Sequence, residues 1–300
     1  MASSLRVAGS GNQQQLCACS LAYPHRYHMS ASNEPLKYEE SFTAFVDFLG
    51  FSEASRNLDD AQRFKVLQLL LSLVELRSEF SAATAPQADG SKHHIIKPAI
   101  STFSDNIVIS YDLGALGETM KDTQFVGVVV MNQLQRLISA IAAQALRLGF
   151  LVRGATTVGR LYHAHGVVFG EALVEAVQLE ERTAIYPRIV LSSAVTERFG
   201  PHQAFVSREE DGISCIDYIR TMIFNVAPPG EAWPAAVKNW FEEVVGVIQA
   251  ALETHARNGR LNELAKWTWF AKRFRAAVAA IPAEGIKSIG ISVDVIPWAA

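Results

Sequence analysis

The sequence predicts an α+β protein with a ferredoxin-like βαββαβ domain, an αβ extension and a C-terminal pair of helices. Short runs rich in β-branched and aromatic residues alternate with longer segments whose apolar residues recur at helical spacing. Two of the short runs are joined by the turn Ser104–Asn106, which indicates a β-hairpin within the domain. Of the 300 residues, 49% are hydrophobic and 19% charged. This composition is typical of one large globular domain, or of one domain with an appendage.

The first part of the domain predicts a strand, a helix and the hairpin. Residues 40–49 indicate the first strand, and Asp59 and Asp60 place negative charge at the start of a helix, where the helix dipole favours it. The apolar residues of this helix that we expect to cover the sheet are Phe64, Leu67, Leu71 and Val74. A loop at 82–92 then leads to strands at 95–103 and 107–111.

The second part predicts another helix and the remaining strands. A long helix ends at Gly149, and its apolar face is formed by Val130, Leu134, Leu137, Ile141, Ala145 and Leu148. The elements expected after it are a strand at 150–158, a loop at 160–165, a helix at 171–182 and a strand at 188–192. A split βαβ arrangement of this kind packs its helices on one face of an antiparallel sheet. The end of the first strand then lies beside the hairpin.

Residues 201–300 predict a C-terminal α/β extension packed on the domain of residues 37–200. A turn at Asp211-Gly212 precedes a strand at 213–218, and Pro-Pro-Gly at 228–230 closes that region. The remaining elements expected are an antiparallel pair of helices at 233–257 and 261–280 and a last strand at 286–296. The second helix carries Lys266, Lys272, Arg273 and Arg275, which indicates a solvated face. The alternative is a basic strip for phosphates or an effector.

Charge and hydropathy exclude several classes of protein. The net charge of −3 provides no broad basic surface, so we expect no nucleic-acid partner. No apolar segment reaches about 18 uninterrupted residues, so we expect no membrane partner. Cys17, Cys19 and Cys215 cannot form a disulfide framework, which favours the reducing cytoplasm. Residues 1–36 lack a hydrophobic period, so we expect a disordered leader, with Met29 as an alternative start of the native protein.

The segment FVDFLGFS, residues 45–52, puts one carboxylate inside an apolar strand that runs into a glycine turn. A buried carboxylate is costly unless a cation, a metal or several hydrogen-bond donors face it. The predicted topology brings Asp47 beside Asp105, and two convergent carboxylates suit Mg²⁺ or Mn²⁺. The backbone N–H groups expected to cradle a triphosphate at the turn are those of Leu49, Gly50, Phe51 and Ser52.

Four motifs in this order resemble the catalytic domain of the class III nucleotide cyclases, over residues 41–192. FVDFLGFS is similar to the family's F-x-D-x-x-G-F-[ST] segment, and FSDN at 103–106 to the segment of its second metal aspartate. VRGATTVG at 152–159 is similar to its arginine-and-glycine strand, and GEALVEAVQLE at 170–180 to its G-D-A-V-N-x-A-x-R-x-E helix. The resemblance implies two Mn²⁺ or Mg²⁺ ions, a nucleoside triphosphate substrate and a homodimer. The residues it implies are catalytic Asp47, Asp105 and Arg153, with Asp47, Asp105 and the carbonyl of Phe48 as metal ligands.

Four positions depart from the purine-specific pattern of that family. Ser101 and Val167 stand where purine cyclases have base-contacting residues, and Val174 and Gln178 stand where the family has its transition-state asparagine and arginine. This combination resembles the pyrimidine cyclases of bacterial Pycsar anti-phage systems. The resemblance implies cyclisation of UTP, or CTP, to the 3′,5′-cyclic monophosphate and pyrophosphate, with uridylate cyclase favoured. It also implies a separate effector that is reached only through the product.

Further side chains are candidates for holding the nucleotide. The cations that could neutralise the departing pyrophosphate are Arg153, which matches the family's spacing, and Arg160, Lys97 and Arg182, which remain unassigned. The residues that could fill a pocket around a smaller base are Phe51, Lys97 and Tyr111.

Structural alternatives stand beside these interpretations. Asp47 could be salt-bridged near a strand end, and Arg153 could pair with Glu171 or Glu175. The histidine pairs at 93–94 and 163–165 lack further ligands at a zinc spacing, and no Gly-x-Ser-x-Gly motif supports covalent catalysis. A catalytically silent cyclase-like module that binds a nucleotide or a partner is therefore the second hypothesis.

Overall fold

A mainly antiparallel sheet, which contains the strand order of a ferredoxin-like fold, organises the chain. A computed structural model describes residues 38–51, 55–56, 58–82, 97–119, 122–200, 204–225 and 233–297. The described residues belong to one compact unit. The strands are β1 (Glu39–Leu49), β2 (Ala99–Phe103), β3 (Asn106–Asp112), β4 (Leu151–Ala164), β5 (Val167–Phe169), β6 (Ile189–Leu191), β7 (Val206–Arg208) and β8 (Ser214–Ile216). Their order in the sheet is β2-β3-β1-β4-β6-β8-β7, and β5 pairs with β4.

The helices lie between and after these strands. They are α1 (Asp60–Ala82), α2 (Leu113–Thr119), α3 (Thr123–Arg147), α4 (Glu171–Thr183), α5 (Ser193–Phe199), α6 (Tyr218–Met222), α7 (Trp233–Arg257), α8 (Leu261–Ala279) and α9 (Ala283–Ile289). Short 3₁₀ turns occupy Ile223–Asn225 and Val293–Val295. The β1, β2, β3 and β4 pairings are all antiparallel, whereas β6 runs parallel to β4. The predicted α+β class and βαββαβ order are confirmed.

The two faces of the sheet differ because side chains alternate along each strand. On β1, Phe42, Ala44, Val46 and Phe48 enter the main apolar core, which α1, α3, α7 and α8 also line. On the other face, α4 lies over β4 and β1, and the space between Gly159 and Ala172 would hardly admit a Cβ atom on the glycine. Asp47 belongs to this second face, which explains how an apolar strand accommodates a carboxylate.

Helix α3 is the central helix of the core. Among the described helices, α3 is long and apolar enough to span a bilayer. However, 61% of its most apolar 18-residue stretch is buried inside the protein. Asp122 caps its first turn by accepting from the N–H groups of Gln124 and Phe125. The indole of Trp240 donates to the carbonyl of Ala143 over 3.3 Å, which ties α7 to α3. The composition of α3 is that of a buried core helix.

The apolar face predicted for α1 is wrong. Phe64, Leu67 and Leu71 are each more than half exposed, whereas Val66 and Leu69 are buried. The reason is that apolar residues occupy several sides of this helix, so that helical spacing alone does not define the buried side. The side chain of Val74 lies outside the described part of the chain.

Two further predictions of local structure are corrected. Residues 160–165 are not a loop, because β4 continues to Ala164 and forms a hairpin with β5. His165 and Gly166 make its two-residue turn, with φ of 53° and 76°, the positive φ pair that such hairpins use. The predicted strand at 286–296 is instead the end of α9 and a 3₁₀ turn. The helix packs against α7 and the turn against α8, and none of the described strands pairs with this segment.

Several predicted features lie outside the described residues. They are the leader at 1–36, Ser52, the start of the strand predicted at 95–103, most of the loop at 82–92, and the Pro-Pro-Gly segment at 228–230. The helix pair is observed at Trp233–Arg257 and Leu261–Ala279, close to the predicted bounds. The division of the chain at residue 200 stays a prediction.

Candidate active site

The candidate site is built around Asp47 near the end of β1. The strand register places Asp47 directly opposite Asn106 of β3 and Arg153 of β4. Three adjacent strands therefore supply side chains to one end of the sheet. The carboxylate is mostly buried, with 16% of its side chain exposed.

Asp105 reaches the same end of the sheet from the turn between β2 and β3. Its backbone carbonyl accepts the N–H of Phe48 over 3.2 Å, which fixes the hairpin beside β1. Asn106 Nδ2 lies 3.5 Å from Asp105 Oδ1. Because Asp47 stands opposite Asn106, the residue after Asp105, these contacts place Asp105 beside the end of β1 that carries Asp47. The structure thus brings together the two aspartates that the sequence predicted to converge.

Arg153 lies between two carboxylates. Its Nε–H donates to Asp47 Oδ2 over 3.0 Å. Glu180 Oε1 lies 2.5 Å from the same nitrogen, outside hydrogen-bond geometry, because the single Nε–H points to Asp47. The partners of Arg153 are therefore Asp47 and Glu180, rather than Glu171 or Glu175. This position suits a residue that orients Asp47.

Burial makes the two acids of this cluster hard to ionise. It raises the pKa of Asp47, while Arg153 opposes the rise and the charge of Asp105 adds to it. It raises the pKa of Glu180 from 4.5 to about 7, with Arg153 opposing and Asp47 reinforcing the rise. Glu180 is only 2% exposed. A site with more acidic oxygens than nearby cations attracts further positive charge.

The turn after β1 contains Gly50 in the left-handed region, with φ of 85°. Within the part of the chain that the structure describes, no heavy atom lies within 4 Å of where a Cβ on Gly50 would stand, and Gly50 lines a cleft. Phe48 is 2% exposed and points into the core, where Phe51 and Phe150 pack around it. Of the residues predicted to cradle a triphosphate, Leu49 ends β1, Gly50 and Phe51 follow it, and Ser52 lies outside the described residues.

The structure does not bring the other candidate side chains to this cluster. Lys97 precedes β2 at the end away from the Asp105 turn, about 20 Å of strand from it. Arg160 stacks on the ring of Tyr38 at 4.7 Å, and Arg182 lines a separate polar cleft beside α4. Tyr111, expected near the base, is 1% exposed within the core.

The four positions that depart from the purine pattern lie on β2, β5 and α4. Val174 and Gln178 are exposed one turn apart on α4, and Val167 is exposed on β5. Ser101 instead has a partner, because its hydroxyl lies 2.8 Å from His163 Nε2. His163 Nδ1 lies 2.8 Å from the hydroxyl of Ser110, so one histidine joins β2 and β3 to the β4–β5 hairpin.

The donor set of the cluster fits a hard divalent cation. Within the described residues no group of three or more His, Cys, Asp and Glu side chains is placed to hold a metal. Two carboxylates can nevertheless hold Mg²⁺ or Mn²⁺, because Mg²⁺ commonly keeps several waters and binds through one or two carboxylates and substrate phosphates. Asp47 and Asp105 meet that requirement, and Phe48 follows Asp47 in the chain and donates its N–H to the carbonyl of Asp105.

Comparison with known proteins yields structural similarity alone. No protein-family model matches the sequence, and no curated protein matches it. One similar solved structure is that of a bacterial light-regulated adenylyl cyclase, with a TM-score of 0.37 and 14% identity over 60% of this chain and 91% of that one. A second structure of a bacterial light-regulated adenylyl cyclase gives a TM-score of 0.31 and 14% identity over 60% of this chain and 52% of that one. Any assignment of function therefore rests on the residues of the site.

Sequence reasoning did not identify two residues of this region. No role is assigned to Glu180 from the sequence, although this residue belongs to the motif at 170–180. Its position about three turns along α4 from Gly170 is a signal that indicates a partner on β4. Lys266 stood among the basic residues of α8, and no local pattern connects it with β1. Its charge lowers the pKa of Asp47, against the stronger effect of burial, which raises it.

Proposed function

We propose that the protein is a metal-dependent nucleotide cyclase, which converts a nucleoside triphosphate to a 3′,5′-cyclic monophosphate and pyrophosphate. The observation that carries the proposal is the convergence of Asp47 and Asp105 beside the Leu49–Gly50 turn, at one end of the sheet. Two carboxylates next to an open glycine turn suit a metal–triphosphate complex.

The reaction needs no covalent intermediate with the protein. The 3′-oxygen of the ribose attacks the α-phosphorus in line, the bond from that phosphorus to the bridging oxygen breaks, and pyrophosphate leaves. The proton of the 3′-hydroxyl passes to solvent. Two Mn²⁺ or Mg²⁺ ions, held by Asp47, Asp105 and the carbonyl of Phe48, would lower the pKa of that hydroxyl and neutralise the phosphates.

The protein's own groups hold and orient the substrate in this scheme. Arg153 restrains Oδ2 of Asp47, which leaves Oδ1 as the ligand oxygen. The backbone around Gly50 offers N–H groups to the phosphate oxygens. Glu180 of α4 is the second acidic partner of Arg153. Arg153 is thus a positioning residue.

We infer a pyrimidine substrate, with UTP favoured over CTP. The support is the set of departures from the purine pattern, above all Ser101, whose hydroxyl is paired with His163 where a base-contacting lysine is expected. The product would be a second messenger in anti-phage defence, made in the cytoplasm and acting on a separate effector. Nucleic acid and membranes have no part in this proposal.

A homodimer is the proposed assembly. Two of the positions that differ from the purine-specific pattern, Val167 and Val174, are apolar and more than half exposed, and so is Phe169. Exposed apolar side chains grouped in this way are typical of protein–protein contact. Sedimentation of the purified protein would test the dimer, and Val174→Asp should shift it towards the monomer. A wild-type protein that sediments as a monomer at all concentrations would contradict it.

A second candidate function is a catalytically silent nucleotide-binding or interaction module. The observation that favours it is α4, where the exposed Val174 and Gln178 supply no charged group. In that case the carboxylates bind metal and nucleotide without turnover.

Product analysis separates the two functions. The purified protein is incubated with Mn²⁺ and with ATP, GTP, CTP or UTP in separate reactions, and the products are resolved by chromatography and mass. We expect a cyclic pyrimidine monophosphate, formed from UTP. Nucleotide binding without any product would favour the silent module, and neither binding nor product would contradict both functions.

Matched Asp→Asn variants test the metal site. Asp47→Asn and Asp105→Asn should each lower product formation by about 100-fold or more, because each removes a hard anionic ligand. Asp122→Asn is the control, since it lies at the exposed N-cap of α3 and Asn caps a helix as well as Asp does. A fully active Asp105→Asn protein would remove the paired-carboxylate site.

A further inference from the structure

The turn between α7 and α8 overhangs the end of β1 that carries the candidate site. A cleft of about 400 Å³ lies between the two, and its lining includes Leu49, Gly50 and Leu151 on one side and Arg260 and Lys266 on the other. Leu49 and Leu151 are paired in the β1–β4 register, two residues beyond the pair Asp47 and Arg153. The cleft therefore begins about 7 Å along the strands from the carboxylates.

The cleft carries more positive than negative side chains. Arg260 and Lys266 line it, together with His255 and one carboxylate, Glu263. Lys266 is half-buried in the second turn of α8 and lines the same cleft as Leu49 and Gly50.

The other basic residues of α8 point elsewhere. Lys272 pairs with Glu210 at 3.2 Å, and Arg273 pairs with Glu209 at 3.1 Å. Arg275 donates to the carbonyl of Val293. Among the described residues of α8, Lys266 is thus the cation that lines the cleft.

We propose that Lys266 binds the phosphate chain of the substrate, so that the C-terminal helical pair completes the site from the same polypeptide. The chemical class of the ligand is a polyphosphate: the β and γ phosphates of the nucleotide or released pyrophosphate. An ammonium group facing an open glycine turn, with carboxylates suited to a divalent ion nearby, provides the charges that such a group requires. This inference rests on the proposed function for the identity of the substrate, but not for the binding itself.

Direct binding tests the inference without turnover. Calorimetry in the presence of Mn²⁺ measures the affinity for inorganic pyrophosphate, UTP and UMP in the wild type, Lys266→Ala, Lys266→Arg and Lys272→Ala. Lys266→Ala should weaken pyrophosphate and UTP by about tenfold or more, since it removes one charge-assisted contact. Lys266→Arg should retain most of the affinity. Lys272→Ala, the control on the same helix, should bind as the wild type does.

The outcomes separate this inference from the proposed reaction. If the protein makes no cyclic product but Lys266→Ala alone loses affinity for pyrophosphate, the polyphosphate site stands and the cyclase proposal fails. If Lys266→Ala binds pyrophosphate and UTP as tightly as Lys272→Ala, or if the wild type does not bind pyrophosphate, Lys266 is not a phosphate ligand. An equal loss with UMP would also overturn the inference, since UMP lacks the β and γ phosphates. Thermal unfolding of each variant checks that the fold is retained.

Discussion

Arg153 of β4 donates from Nε to Oδ2 of Asp47 over 3.0 Å, and the two residues stand directly opposite each other in the β1–β4 register. The same nitrogen lies 2.5 Å from Oε1 of Glu180. One guanidinium therefore compensates two carboxylates that β1 and α4 bring to the same place. Because the pairing is set by strand register, the orientation of Asp47 is part of the fold before any ligand binds.

Removal of this cation should destabilise the protein strongly. Arg153→Ala leaves the buried carboxylate of Asp47 without its hydrogen-bonded counter-charge, so we expect the free energy of unfolding to fall by about 3 kcal/mol or more. Urea denaturation at neutral pH measures the change. Arg63→Ala is the control, because Arg63 pairs with Asp60 on the exposed surface of α1 and such pairs contribute less than about 1 kcal/mol. Equal losses in the two variants would contradict the role given to Arg153.

Glu180 should give the stability of the metal-free protein a distinct pH dependence. Burial raises its pKa from 4.5 to about 7 in the folded protein. Between these values the folded state binds more protons than the unfolded state, so this group makes the free energy of unfolding fall as pH rises.

Glu180→Gln removes that proton exchange. The free energy of unfolding of Glu180→Gln, minus that of the wild type, should therefore increase with pH. We expect an increase of the order of 1–3 kcal/mol from about pH 4.5 to about pH 8. Urea denaturation in chelator at several pH values measures the difference, and Glu253→Gln, on the exposed side of α7, should not reproduce it. A difference between Glu180→Gln and wild type that stays constant with pH would show that Glu180 does not titrate in this range.

The convergence of Asp47 and Asp105 was predictable because it follows from local patterns. Alternation along residues 40–49 identifies the strand, and the turn at Ser104–Asn106 identifies the hairpin. The split βαβ topology then places the two turns at one end of the sheet. Each step depends on neighbours in sequence, and that dependence is why it succeeded.

The contacts made by Glu180 and Lys266 depend on packing that no local pattern encodes. Glu180 reaches Arg153 only because α4 crosses the face of the sheet opposite α3, and Lys266 reaches the cleft only because α8 lies beside the start of β4. The prediction of a strand at 286–296 was wrong for the same reason, because packing decides the structure of that segment. The apolar residues of this segment suit either a strand or a short helix on α7 followed by a turn on α8, and the available neighbours decide between them.

Tyr218 should stabilise the join between β4 and the loop before β6. Its buried hydroxyl lies 2.9 Å from the carbonyl of Pro187 and 3.2 Å from that of Val152, the residue before Arg153. Tyr218→Phe leaves these carbonyls without their donor, so the free energy of unfolding should fall by about 1–2 kcal/mol. Tyr162→Phe, which removes an exposed hydroxyl beside His165, is the control and should cost much less. Equal effects would mean that the buried hydrogen bonds add nothing.

Two helical glycines should respond oppositely to the same substitution. A Cβ on Gly127 of α3 would lie 2.6–2.8 Å from Phe199, a fully buried side chain of α5, so Gly127→Ala should lower the free energy of unfolding by about 1–3 kcal/mol. Gly246 of α7 is exposed and has no atom within 4 Å of the added carbon, so Gly246→Ala should raise it by about 0.5–1 kcal/mol. Urea denaturation of both variants measures the signs. If Gly127→Ala stabilised the protein as much as Gly246→Ala does, α3 and α5 would not be in close contact at Gly127 and Phe199.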